Sequence, residues 1–264
     1  TFAKLNYPED NYSIFMPKQL NGDDKKIYQE EVRQTALMYQ AISVLQFKLE
    51  GEIIKRHPEF DMDDQRMLEF IDYQKGTIRL NGKEYPLKSA YFPTVDPKDP
   101  YRLTEEEKDV IEKLKAGFLN SEKLQRHIQF LLSKGSMYLC YNNNLLFHGC
   151  VPLNDDGSFM AMTIQNNTFS GKALFNKFEE VLRKGYAGRE NLKRNYRYLD
   201  YVWYLWAGKA SPLFGKERMT TFERLYIEDT STHFEKKNPY YSKRNDVEFC
   251  CKILKEFGLN TNKG

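Results

Sequence analysis

The stretch from Asp23 to His57 constrains the fold more than any other part of this chain. Ile27, Met38, Ala41, Ile42, Leu45, Leu49 and Ile53 recur along it at steps of three and four, the period of an amphipathic helix. Asp23 or Asp24 can accept hydrogen bonds from the free amides at its start. Pro58 lacks a backbone donor and disfavours helical geometry at His57, so the helix is expected to stop there. An element of that length commits the first part of the chain to a mostly helical architecture. A short second helix is expected around Asp63 to Tyr73.

Sheet signals are sparser. Thr77 to Tyr85 holds two alternating stretches joined by Asn81-Gly82, residues that tolerate the positive φ of a type I′ turn, so a β-hairpin is expected there. Thr104-x-x-Glu107 has the form of a capping box at the start of a helix carrying Val110, Ile111, Leu114 and Phe118 inward. Ser121 can cap another helix, which Gly135 would end in a left-handed conformation. Beyond it, Met137 to Tyr141 and Leu145 to Phe147 read as buried strands around Asn142-Asn143-Asn144, with a third from Phe159 to Ile164. Helices are expected again over Lys172 to Lys184, Arg189 to Trp206 and Asp246 to Phe257.

The fold class that follows is α+β, mainly helical with a small incomplete sheet. A boundary near Gly135 divides a mostly helical region 1–135, with its hairpin near 77–87, from a mixed α/β region 136–264. The open edge of the sheet is expected to be covered by another subunit or a neighbouring loop.

Charge and composition exclude several functions. Forty basic residues against 37 acidic ones leave a net charge of +3, so no global field draws the chain to nucleic acid or an anionic membrane. Lys193, Arg194 and Arg197 do alternate with Tyr196, Tyr198, Tyr201, Trp203, Tyr204 and Trp206 as on a single-strand nucleic-acid surface. Helical packing explains these residues more cheaply. No apolar run approaches the roughly 20 residues of a membrane span. Cys140, Cys150, Cys250 and Cys251 have neither a disulfide-framework nor a zinc spacing, which points to reduced thiols in the cytoplasm. With 41% hydrophobic residues the chain should fold as a globular protein. Its first residues, Thr1-Phe2-Ala3-Lys4, and its turn-like last ones read as cuts in a longer protein.

The stretch richest in chemistry is Asn144 to Pro152, where a strand runs straight into His148-Gly149. A strand end is a rigid mount, glycine permits close approach, and a neutral imidazole is a good ligand for manganese, iron or zinc. A lone histidine at a strand end is more often simply hydrogen-bonded structure. Downstream, Lys209, Ser211, Lys216, Arg218 and Arg224 surround a glycine-bearing loop between Gly208 and Gly215. Arginine grips phosphate through paired donors and lysine acts as a point charge, so the group suits a phosphate; a solvated basic loop is the plainer alternative. Asp155 and Asp156 before Gly157 read as turn formers rather than ligands.

Leu146-Phe147-His148-Gly149-Cys150-Val151-Pro152 resembles the His-Gly segment of calcineurin-like metallophosphoesterases. Ser136-Met137-Tyr138, Phe92-Pro93-Thr94-Val95-Asp96-Pro97, Ser121-Glu122-Lys123-Leu124-Gln125, Lys209 to Lys216 and Met219 to Arg224 resemble the class III fructose-1,6-bisphosphatases. The resemblance implies part of a calcineurin-like catalytic fold with helical segments, belonging to a manganese-dependent hydrolase of gluconeogenesis that acts on fructose 1,6-bisphosphate. His148 would then be one ligand of a two-metal centre, and Lys209, Ser211, Lys216, Arg218 and Arg224 would bind substrate phosphate and sugar.

The superfamily's other ligand motifs are absent. No histidine follows Asn or Gly, none sits two residues after an Asp, and the one Gly-Asp, Gly22-Asp23, lacks the second aspartate. A two-metal centre needs bridging and terminal ligands to both ions. The chain is therefore expected to be an internal piece of the enzyme, inactive alone, with its general acid and remaining ligands in the missing N- and C-terminal parts. Assembly as a homo-oligomer is a further expectation. The competing reading is a non-catalytic helical scaffold or oligomerisation module.

Overall fold

The computed structural model describes residues 2–7, 12–16, 29–188 and 192–261. In chain order the helices are α1 (Phe2–Asn6), α2 (Gln29–Arg56), α3 (Glu105–Leu119), α4 (Glu122–Lys134), α5 (Gly171–Ala187), α6 (Leu192–Ala207), α7 (Thr221–Tyr226), α8 (Tyr240–Lys243) and α9 (Val247–Glu256). The strands are β1 (Ile71–Asp72), β2 (Thr77–Leu80), β3 (Lys83–Pro86), β4 (Tyr138–Tyr141), β5 (Asn144–Phe147), β6 (Ala161–Ile164) and β7 (Asn167–Ser170). The fold is α+β and mainly helical, as the sequence leads one to expect.

The chain divides into two compact units. One comprises Thr1–Pro58, Met62–Ser121 and Thr220–Phe234; the other comprises Glu59–Asp61, Glu122–Met219 and Glu235–Gly264.

In the first unit α2 stops at Arg56, two residues before Pro58, as the proline requires. Its expected start at Asp23, the caps Asp23 and Asp24, and Ile27 lie outside the described residues. The buried face carries Leu37, Gln40, Ala41, Val44 and Lys48, whereas Met38 and Ile42 are exposed. The apolar stripe is thus rotated from the expected one, because a buried lysine and glutamine belong to it. Lys48 is accommodated by Glu107 of α3, and neither side chain reaches solvent.

The helix expected at 63–73 is instead a run of 3-10 turns followed by β1, which pairs antiparallel with β2 through Ile71↔Ile78 and Asp72↔Thr77. The Asp72 carboxylate accepts from the amides of Gln74 and Lys75 at 3.1 and 3.0 Å, and these bonds end any helix by forming a turn. The β2–β3 hairpin follows, with Asn81 and Gly82 at φ +50° and +79° as a type I′ turn demands. Phe15, Phe47, Phe92, Phe222 and Tyr226 pack ring to ring at the centre of this unit.

Both halves of the Thr104–Glu107 capping box form. Leu114 and Phe118, expected inward on α3, are exposed.

In the second unit α4 has no fully buried residue. Gly135 closes it by donating to the Leu131 carbonyl at 2.7 Å without entering the left-handed region expected of it. Two separate antiparallel hairpins follow, β4–β5 and β6–β7. The single strand expected at 159–164 is half of the second hairpin, which turns at Gln165 and Asn166 with φ +51° and +68°. Neither residue is glycine, so the turn gave little sequence signal. The expected buried strands β4 and β5 are covered on one face alone: Tyr138 and Phe147 pack against Phe175, Phe257 and Tyr240, while Leu139, Tyr141 and Leu146 are exposed.

Helices α5 and α6 pack together where Gly185 meets Val202 and Tyr198. The expected start of α6 at Arg189 and the side chains of Lys193 and Arg194 lie outside the described residues. Phe60 packs among Tyr201, Trp203 and Tyr204, so these three aromatic residues of α6 serve packing, whereas Tyr196 and Trp206 are exposed. Asp246 caps α9 by accepting from the Phe249 amide at 3.1 Å. Among the described residues no helix is long and apolar enough to cross a membrane.

Candidate functional site

Strand β5 delivers His148 to an exposed position at its end, with no side-chain partner among the described residues. The residues after it are fixed. Gly149 adopts φ +79°, and a Cβ there would collide with the Pro212 carbonyl oxygen. Cys150 donates its amide to that same oxygen at 3.0 Å. Burial pushes the Cys150 thiol up to about 12, so it is neutral and packed rather than reactive. The structure thus seats the His148-Gly149-Cys150 segment directly on the Gly208–Gly215 loop, two regions that the sequence singles out separately.

That loop is built from its own hydrogen bonds. Ser211 is fully buried; its hydroxyl donates to the Leu205 carbonyl at 2.6 Å and accepts from the Leu213 amide at 3.1 Å. The Tyr204 hydroxyl accepts from the Ala210 amide at 3.1 Å. At its far end Gly215, at φ +66°, accepts from the Asn238 amide at 2.9 Å, and Lys216 bridges Lys237. Asn238 is buried and grips both backbone groups of Leu153: its carboxamide oxygen accepts from the Leu153 amide at 3.2 Å and its nitrogen donates to the Leu153 carbonyl at 3.1 Å. The segment 150–153 is held between Pro212 on one side and Asn238 on the other.

The basic residues proposed from sequence are spread and mostly engaged. Lys209 pairs with Asp61 and Lys216 with Glu235, both lysines remaining partly exposed. Arg218 is half-buried and bound to neighbouring groups. Arg224 belongs to the first unit, where it donates to the Thr220 hydroxyl at 3.0 Å and the His233 carbonyl at 3.0 Å. Of the five, the loop itself brings Lys209, Ser211 and Lys216 into one segment, and two of these keep a cation near solvent. Asp61, Asn238 and Glu235 were not foreseen, since their partners lie far along the chain.

Asp155 and Asp156 form a turn. Asp156 accepts from the amide and hydroxyl of Ser158 at 2.8 and 2.7 Å, which holds its carboxyl below the usual carboxylate range. Asp155 pairs with Lys236, whose ammonium is raised by Glu217 first and Asp155 second.

Among the described residues no group of three or more His, Cys, Asp or Glu stands close enough to hold a metal ion. A two-metal centre needs more donors than one exposed imidazole provides, so these residues do not compose such a centre by themselves.

The comparisons with known proteins agree with one another. The sequence profile described as Firmicute fructose-1,6-bisphosphatase matches residues 1–264. The class 3 fructose-1,6-bisphosphatase of Clostridium novyi is 53% identical over 260 residues, covering 98% of this chain and 39% of that protein. Those of Listeria innocua and Clostridium acetobutylicum are 51% and 49% identical over 263 residues, covering 100% of this chain and 40% and 39% of theirs. The chain thus spans about two fifths of the length of these relatives. No solved structure gives a significant match. With the whole of its length matched, and with relatives about half identical across it, the chain belongs to the Firmicute fructose-1,6-bisphosphatase family.

Proposed function

We propose that this chain works as part of a longer cytoplasmic enzyme that hydrolyses fructose 1,6-bisphosphate to fructose 6-phosphate and phosphate in gluconeogenesis. The family match over residues 1–264 carries the reading. The seating of the His-Gly segment on the basic loop supports it, because an exposed histidine on a fixed stretch of backbone and two partly exposed lysines then stand on one scaffold.

In this reading His148 is one ligand to a manganese centre whose other ligands lie outside this chain. When bound, the metals would acidify a water and neutralise charge on the phosphoryl group. The chain's own residues do the positioning: Gly149 and Cys150 fix where β5 ends, and Lys209 and Lys216 present cations to the substrate's second phosphate. The partner of Lys209, Asp61, is an exposed carboxylate that a phosphate can displace at small cost, since exposed pairs are worth about 0–1 kcal/mol, whereas Glu235 beside Lys216 is largely covered.

The scaffold alternative is favoured for the isolated chain by its lack of a metal-holding group among the described residues. The test compares manganese-dependent phosphate release from fructose 1,6-bisphosphate by the longer enzyme, its His148→Ala variant and the 264-residue chain. An active enzyme, a variant impaired in turnover and metal content, and an inert short chain are expected. Robust turnover by the short chain overturns the incomplete-centre reading, and an unimpaired variant removes His148 from the site.

A further inference from the structure

We infer that the outer face of the β4–β5 hairpin is a docking surface for an apolar extended segment of the longer enzyme, drawn from polypeptide outside residues 1–264. This rests on the reading that the chain works within a longer protein, for which the length of its relatives is the observation. The register pairs Leu139 with Leu146 and Tyr141 with Asn144, and alternation puts these on one face. The opposite face, with Tyr138 and Phe147, is packed against the rings of Phe175 in α5, Tyr240 in α8 and Phe257 just after α9. Leu139 and Leu146 are a directly opposed pair and stand 53% and 55% exposed, with Tyr141 at 72%.

Such strands are apolar on both faces, which is the pattern of strands covered on both sides. Water on one side is a mismatch between sequence and surroundings. Both strands are also edges, because among the described residues the sheet has only these two. A free edge beside an exposed apolar face is the geometry for strand addition, in which backbone bonds give affinity and alternate side chains give register. Two residues after Leu146, where the period of two returns to the same face, stands exposed His148. The added segment therefore comes to lie beside the candidate ligand, which makes it the natural carrier of further ligands.

Hydrogen–deuterium exchange of the peptide covering 137–147 tests this in the unmodified proteins. Exchange of its edge amides is expected to be at least about 100-fold slower in the longer enzyme than in the 264-residue chain. As a second measurement, Leu146→Asp should leave the melting temperature of the short chain unchanged and lower that of the longer enzyme. Equal exchange in both proteins overturns the inference. Concentration-dependent protection in the short chain also overturns it, by assigning the face to a second copy. Neither readout depends on turnover, so the face can be tested even if the enzyme cleaves a different phosphate ester.

Discussion

Lys48 Nζ stands 2.7 Å from Glu107 Oε2 in the core of the first unit, and neither side chain reaches solvent. The ammonium also donates to the Thr94 and Arg102 carbonyls at 2.5 and 3.1 Å, so all three of its protons are placed. The same carboxylate oxygen accepts the Thr104 amide at 2.8 Å. Burial lowers the lysine's pKa, and Glu107 opposes that shift. Removing one member strands the other charge in the interior.

Lys48→Met is therefore expected to cost about 3–5 kcal/mol in urea unfolding. Adding Glu107→Gln, which removes the stranded charge and keeps the acceptor for Thr104, should recover a substantial part of that loss. Additive losses in the double variant would show that the two side chains are not energetically coupled.

Gly149→Ala combines a left-handed backbone with a collision against Pro212, and a cost of at least about 1–3 kcal/mol is expected from the strained backbone alone. Gly82→Ala is the control. Its φ is also +79°, but no atom lies within 4 Å of the added methyl, so it should cost the backbone strain of about 1–3 kcal/mol and less than Gly149→Ala. Equal melting shifts in the two variants would mean that the contact with Pro212 is not tight.

Cys150 should resist thiol reagents in the folded chain while exposed Cys140 reacts. The sign of the pH dependence follows from its raised pKa. Its contribution to stability is fully present below the unfolded value of 9.0 and is lost as pH rises from there toward about 12. Replacement by Ser should flatten that alkaline decline, measured as melting temperature against pH.

The parts legible in sequence are those whose cause is local. Thr104 and Glu107 sit three residues apart, and Asn81-Gly82 is its own turn. What was not legible depends on partners far along the chain. Glu107 meets Lys48 across 59 positions and Asn238 meets Leu153 across 85, and no periodicity in either segment announces the other. His148 stood out by residue type and by the glycine after it. That Gly149 packs on Pro212, and so brings the histidine segment to the basic loop, depends on the tertiary fold. Leu114 and Phe118 follow helical period faithfully yet face solvent, since periodicity identifies an apolar stripe without saying what covers it.

Lys209 and Lys216 separate phosphate binding from structural roles in the loop. Their pairs with Asp61 and Glu235 involve partly exposed ammonium groups, so Lys209→Ala and Lys216→Ala should each change stability by no more than about 1 kcal/mol. Ser211→Ala should behave in the opposite way. Its buried hydroxyl joins Leu205 to Leu213, and its loss leaves the Leu213 amide without that acceptor, at about 1–3 kcal/mol. In the longer enzyme, a charge-assisted bond to substrate phosphate is worth about 1.5–3 kcal/mol, which corresponds to a rise in KM of roughly ten- to hundred-fold for each lysine variant. Steady-state kinetics on fructose 1,6-bisphosphate alongside melting curves reads both effects. Unchanged KM with unchanged stability would make these lysines a solvated basic loop, and lowered stability with unchanged KM would make them structural ties to Asp61 and Glu235.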